Sequence, residues 1–287
     1  MVVCSDSTRE DEPRVWWKER LKRELVKLFS AGLVAGTRSA DYLASLGLGR
    51  DRLFTAWDVV DNAYFAKEAQ RIRDAAPAAE PYFLTVARFV PKKNLAGLLR
   101  AYAQYVTTAG ETAWPLVLSG DGELRAQLGE QVEMEGLAQC VRFAGFVQYG
   151  QLPELYAGAG AFILPSLSDQ WGLVVNEAMA SGLPVLVSER CGCVPDLLMA
   201  GENGLVFSPI DTAGMSAALS RAANLSAGQR EQMGKRSQEV VSHFGLDAFA
   251  GGLWRAAEKA ITAPKASSRL GRAMLATVRT TTKLRHR

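Results

Sequence analysis

Apolar positions along this chain change period repeatedly, and each change marks a new element. Trp17, Leu21, Leu25 and Leu28 recur at helical spacing and predict a first helix over 13–29. Thr8 and Asp11 resemble a capping signal ahead of it, and Pro13 suits a first helical turn. The apolar run GLVAG at 32–36 reads as a strand, 39–46 as a helix ending at the natural C-cap Gly47, and 53–60 as a second strand. A polar helical connector follows over 61–76, then a Pro-Ala-Ala-Glu-Pro linker at 77–81.

From Tyr82 the alternation becomes regular. Strands are predicted at 82–87, 114–118, 141–144, 161–164, 184–188 and 204–207. Helices fall at 95–106, 124–135 and 152–157, from Gly172 onward, in a short turn at 196–199, and over most of 212–263. Strand, helix, strand at this cadence predicts an α/β fold with a Rossmann-like, doubly wound parallel sheet. The opening 60 residues read as αβαβ. Two short parallel strands are too few to close a core, because parallel strands want both faces covered. That segment either leans on the domain after it or belongs to a larger half.

Composition narrows the class. With 287 residues, 48% hydrophobic and 22% charged, the chain fits one large or two modest globular domains. No apolar run approaches the ~18 residues of a membrane helix, and the N-terminus lacks the basic and apolar regions of a signal peptide. Four cysteines without a framework suggest reduced thiols and a cytoplasmic chain. Cys191-Gly192-Cys193 reads as a plain turn rather than a metal site, given two histidines, His243 and His286, and no second cysteine pair nearby.

Charge is concentrated at the end. Residues 265–287 hold seven Lys or Arg and no acid; subtracting these from the net +3 leaves −4 for the rest. Leu270, Ala273, Met274, Thr277, Val278 and Thr281 recur at helical spacing there. A basic amphipathic segment lying on the inner face of a membrane is one reading. A solvated tail is the other, favoured by a weak, threonine-rich apolar face.

Three clusters carry candidate chemistry. Arg88 and Lys93 follow the strand at 82–87, where two cations suit a diphosphate; a solvated basic turn reads equally well on charge alone. Gly120-Asp121-Gly122 allows close backbone approach, though such a triplet is also a common turn. The stretch 165–188 carries Asp169 in a loop and Glu177 eight positions later, in the second turn of a helix opened by Gly172. A helix N-terminus at the carboxyl end of a strand suits a phosphate, and acids beside it bind sugar hydroxyls. No serine–histidine–acid set, Walker A motif or G-x-G-x-x-G after the first strand is visible, and nothing suggests nucleic acid.

ARFVPKKN, LSGDGELRAQL, VRFAGFV and the 165–188 stretch, in this order and spacing over about 82–260, resemble the C-terminal half of a GT-B glycosyltransferase, in detail family 4 (group 1). The opening segment resembles the end of that family's N-terminal domain. The resemblance implies a remnant of the acceptor-side domain and connector at 1–76, a nucleotide-sugar donor-binding domain at 77–264 and a basic tail at 265–287. It implies that Arg88 and Lys93 hold the donor diphosphate, that Asp169 contacts the donor sugar, and that Glu177 accepts from ribose hydroxyls. Backbone at Gly172, Leu173 and Val174 would meet phosphate or sugar; Gly120 and Gly122 would line the site; Gly145, Phe146 and Val147 would lie near the base. Asp169 is one methylene shorter than the family's usual glutamate.

The implied activity is a hexosyltransferase-type transfer, with retention, from a nucleotide-diphosphate sugar to a polysaccharide, lipopolysaccharide or glycolipid acceptor, with no metal and no cofactor. Two rivals stand beside it. One is a donor-binding half of a split or truncated enzyme, inactive without an N-terminal partner; an N-terminal-domain partner or a homo-oligomer is the partner expectation. The other is a sugar-nucleotide epimerase of the same architecture, disfavoured by the absence of a histidine base near the paired acids. An incomplete N-terminal piece predicts that Trp16, Trp17 and their neighbours leave an apolar patch exposed.

Overall fold

Short strands joined through helices build both sheets of this chain, and Ala31–Val34, Leu116–Ser119, Ala161–Leu164 and Val185–Ser188 are buried along their whole length. The computed structural model describes residues 1–75 and 80–263, with Ser268 and Gly271. The expected boundaries near 76 and 264, and the basic tail apart from those two residues, lie outside the described residues. The chain divides into two compact units, Met1–Val59 with the stretch from Leu246 onward, and Val60–Gly245.

The first unit holds strands β1 (Val2–Ser5), β2 (Ala31–Val34) and β3 (Leu53–Phe54), parallel and in that order, with helices α1 (Trp16–Val26) and α2 (Thr37–Ser45). All four residues of β2 are buried. Val26, Tyr42, Leu43, Leu46 and Leu48 pack with Val34 as one core cluster. The last helix, Leu246–Thr262, lies along β2 and β3. It comes close because Gly252 has no Cβ: one there would sit 2.7 Å from the Thr55 carbonyl oxygen. So β2 gains the two-sided cover that a parallel strand requires.

Three local details differ from expectation. Val2–Ser5 pairs as an edge strand, although four residues without a turn signal before them carry little pattern. Helix α1 starts at Trp16 without a side-chain cap, because the Thr8 hydroxyl donates to Asp11 and closes a turn of its own. The strand expected over 53–60 ends at Phe54, since Ala56 turns the backbone to a φ of 74°. Trp57 N–H still reaches the Val34 carbonyl at 3.0 Å. The expected exposure is seen at Trp16 (76%) and Trp17 (48%), so the stripe through Trp17 does not enter the core along its whole length.

The second unit opens with helix α3 (Asn62–Ala75) and continues β4 (Phe83–Val86), α4 (Leu95–Ala109), β5 (Leu116–Ser119), α5 (Arg125–Met134), β6 (Val141–Gly145) and α6 (Leu152–Gly158). Then come β7 (Ala161–Leu164), α7 (Leu173–Ala180), β8 (Val185–Ser188), α8 (Val194–Leu197), β9 (Gly204–Phe207), α9 (Thr212–Ala223) and α10 (Ala227–Val241). The sheet is parallel throughout, in the order β6-β5-β4-β7-β8-β9. Helices α4, α5 and α9 pack together as one layer, and α3, α6, α7 and α10 as another. This is the doubly wound order 3-2-1-4-5-6, confirming the expected fold class. The core on the α4 side includes Phe83, Leu98, Tyr102, Leu116, Leu118 and Ile163. Thr85, buried in the central strand, satisfies its hydroxyl on the Ile163 carbonyl at 2.9 Å.

The order of winding reverses between β4 and β7, which pair directly. Ligands of open α/β sheets bind at that switch point, outside the carboxyl ends of the strands.

Candidate functional site

All strands of the second sheet run the same way, so their carboxyl-end loops share one edge. Arg88 follows β4 and is exposed. Lys93 ends a tight turn over Pro91–Lys93, closed by Asn94 in the left-handed region at φ 53°. The Asn94 amide nitrogen donates to the Pro209 carbonyl at 2.8 Å, and Leu167 N–H donates to the Lys92 carbonyl at 2.8 Å. The loops after β4 and β7 are thereby tied together. Lys93 Nζ forms an ion pair with Asp169 Oδ2, with side chains only 12% and 11% exposed. Ser166 Oγ donates to the same oxygen at 3.3 Å.

The Gly120-Asp121-Gly122 loop braces Arg88's loop from the other side. Phe89 N–H donates to the Asp121 carbonyl at 2.8 Å, and Leu124 N–H to the Phe89 carbonyl at 3.0 Å. A Cβ on Gly120 would stand 1.8 Å from the Ala87 carbonyl oxygen, and one on Gly122 2.6 Å from that of Phe89. Both glycines are therefore required by packing between loops, whatever else they meet. Gly120 N–H also donates to the Gly145 carbonyl at 2.7 Å, which links the loop after β6. Beyond Gly145, Phe146 is exposed and Val147 half-buried.

Gly172 precedes α7 at φ 103°, and no side chain caps that helix. The backbone N–H groups of Leu173 and Val174 belong to its first turn, where an α-helix has no internal acceptors for them. The loop after β8 lies against this entry: Gly192 N–H donates to the Asp169 carbonyl at 2.9 Å. A Cβ on Gly192 would stand 1.7 Å from the Gln170 carbonyl oxygen. That close approach explains Cys191-Gly192-Cys193, whose cysteines are buried. Trp171, also buried, donates from Nε1 to Asn176 Oδ1 at 2.9 Å and anchors the loop to α7.

Glu177 sits apart from Asp169 in its contacts. Its Oε2 accepts from the Tyr156 hydroxyl at 2.7 Å. Burial pushes its carboxyl from 4.5 up to about 7, against the opposing hydrogen bond from Tyr156. Between pH 4.5 and 7 the folded chain holds a proton that the unfolded chain has released, so stability falls as pH rises through that window. The loss by pH 8 approaches ~3 kcal/mol at the usual conversion of pKa into free energy. Glu177→Gln is expected to flatten this dependence and to be at least as stable as the parent at pH 8, measured by denaturant unfolding between pH 5 and 8. A mutant that keeps the full parental slope would contradict it.

Arg88, Lys93, Gly120, Gly122, Gly145, Phe146, Val147, Asp169, Gly172, Leu173 and Val174 thus all lie at one sheet edge, and Glu177 lies one turn into α7. Direct contact joins Lys93 to Asp169 and Gly120 to Gly145; the contacts of Glu177 run instead to Tyr156. Tyr156, Ser166 and Gly192 were not legible as site residues. Tyr156 has no local signal, being an aromatic at an ordinary core position of α6. His243, expected in a helix, falls in the exposed turn after α10, outside this edge. Among the described residues no group of three or more His, Cys, Asp or Glu is placed to hold a metal ion.

Solved structures of GT-B glycosyltransferases share this doubly wound fold. Anabaena HepE in complex with UDP superposes at a TM-score of 0.75 with 19% identity, covering 90% of this chain and 71% of that one. Sucrose-phosphate synthase from Thermosynechococcus elongatus gives 0.73 with 23% identity over 90% and 67%. The chain belongs to the glycosyl transferases group 1 family, whose pattern matches residues 66–240. It is similar to the O-antigen chain mannosyltransferase B of Escherichia coli, 36% identical over 49% of this chain and 36% of that protein. It also resembles the lipopolysaccharide core biosynthesis glycosyltransferase LpsD of Rhizobium meliloti, 31% identical over 68% of this chain and 58% of its relative. The first of these matches thus spans about a third of the curated relative's length.

Proposed function

We propose that this chain binds a nucleoside diphosphate sugar through its second unit and transfers the sugar, with retention, to a saccharide or lipid-linked acceptor of the cell envelope. The observation that carries the reading is the Lys93–Asp169 pair at the β4/β7 switch point, beside the uncapped N-terminus of α7. Arg88 and Lys93 take the diphosphate and stabilise the charge that builds on it as the bond to the anomeric carbon breaks. Asp169, released from Lys93 as phosphate arrives, accepts from a sugar hydroxyl. Glu177 accepts from the ribose. The acceptor oxygen bonds to the anomeric carbon on the face the diphosphate leaves, and its proton passes to a departing phosphate oxygen. The two cations supply electrostatic stabilisation without a metal ion. The acceptor class rests on the relatives named for O-antigen and lipopolysaccharide core assembly.

Calorimetry with UDP, GDP and ADP tests the donor half of this reading. At least one is expected to bind, and to bind equally in EDTA; a folded sample that binds none would end the reading. Donor turnover is the second measurement. Binding without hydrolysis or transfer favours the rival in which this chain is a donor-binding half that works with an acceptor-side partner.

A further inference from the structure

The strongest unassigned group in the second unit is the hydroxyl of Tyr156. Its ring is fully buried, edge-on to Phe65 at 5.8 Å and tilted against Phe162 at 6.1 Å. The packing of a core helix needs only the ring; phenylalanine fills the same space without a polar atom to satisfy. Here the hydroxyl is spent on Glu177 Oε2. The other oxygen, Oε1, makes no hydrogen bond among the described residues, and the residue keeps 8% of its surface exposed.

We infer that Tyr156 is the positioning residue of this donor site: its hydroxyl holds one carboxylate oxygen of Glu177 so that the other is presented to the ribose hydroxyls. This rests on the donor-binding reading above. A glutamate with free χ angles would have to be ordered at the moment of binding, whereas one pinned by a buried donor is ordered beforehand. The same contact favours the ionised carboxylate, which accepts hydroxyls better than the acid does.

Burial sets the direction of the Glu177 shift, and the Tyr156 hydrogen bond opposes it. Among the described residues, the titratable groups acting with Glu177 are Tyr156 itself and Tyr149, in the turn ahead of α6; Asp61 and Tyr64 in turn act on Tyr149. From α3, Arg73 is turned to the Ala157 carbonyl, and α10 meets α7 through the uncharged Gln238 at the Ala180 carbonyl.

The test is calorimetry between pH 6 and 9 with UDP, GDP and ADP, and with inorganic pyrophosphate as a ribose-free probe. The parent, Tyr156→Phe and Glu177→Gln are compared after thermal melting confirms folding. Pyrophosphate is expected to bind all three alike. Parental nucleotide affinity should rise with pH through about 7, the value burial sets for the free carboxyl. In Tyr156→Phe that midpoint should move up by about one unit, the worth of one hydrogen bond to a charged group. Affinity at neutral pH should then fall several-fold and recover at high pH, while Glu177→Gln stays weak and flat. Replacing Tyr156 with 3-fluorotyrosine, a stronger donor that keeps the ring and hydroxyl, should move the midpoint the other way and serves if the phenylalanine variant melts early. An unshifted midpoint in these variants, with a parent that binds nucleotide normally, overturns the role of Tyr156 alone. A parent that binds nucleotides no better than pyrophosphate overturns the donor reading, and the ribose role with it.

Discussion

Lys93→Ala should lower sugar transfer by about a hundred- to a thousandfold, the range found when one preorganised donor to developing charge is removed. Lys93 sits at the turn after β4, tied to the β7 loop through the Leu167–Lys92 bond, so its ammonium is positioned before any ligand arrives. The substitution also has a second consequence. It leaves the Asp169 carboxylate, 11% exposed, without its cation, at a cost of about 2 kcal/mol for a largely desolvated charge. The two effects separate in a double-mutant cycle. Lys93→Ala combined with Asp169→Asn should recover most of the lost stability, because the orphaned charge is gone, and none of the lost transfer. Recovery of transfer in the double mutant would show that Lys93 acts only by balancing Asp169.

Gly120→Ala should be among the most damaging single changes in the second unit. The backbone there has φ 133°, and the new methyl would lie 1.8 Å from the Ala87 carbonyl oxygen. No rotamer relieves such a contact, because both atoms belong to backbone held in place. Gly120 N–H is bonded to Gly145 and Ala87 N–H to Ser119. The loop must shift, breaking those bonds, at about 4 kcal/mol or more. For a unit of this size that lowers the melting temperature by about 10 °C, with loss of nucleotide binding as the Arg88 loop is displaced. Gly136→Ala is the control. Its φ of 69° is left-handed too, but nothing lies within 4 Å of the added carbon, so the cost should be about 1 kcal/mol. Equal melting shifts in the two variants would mean that dihedral strain, not the contact with Ala87, governs the position.

The sheet of the second unit was largely legible because each of its strands is an apolar run bounded by turn residues. The runs at 161–164 and 204–207 match their strands residue for residue. The first unit was less so. Val2–Ser5 is a strand because β2 lies beside it, and Leu53–Phe54 stops short because Ala56 bends the chain to bring Trp57 against Phe249. Neither cause lies within a few residues of its effect. Nothing in the sequence marks the helix Leu246–Thr262 as the cover of β2, since its glycine at 252 reads as a weak helix former until Thr55 is placed beneath it.

The candidate site divides along the same line. Residue types and spacing were enough to single out two cations after one strand, glycines after the next, and two acids eight apart around a helix start. Those features are set by neighbours in the chain, where turn chemistry and helix entry are decided. Which of them touch was decided only by strand order. Placing β7 beside β4 brings Lys93 to Asp169 across 76 residues, while α6 delivers Tyr156 to Glu177. The Gly-Asp-Gly loop likewise acquired its packing role only against Ala87 and Phe89. Local pattern determined what each loop carries; the winding of the sheet, set by burial of its central strands between two helix layers, determined which loops meet.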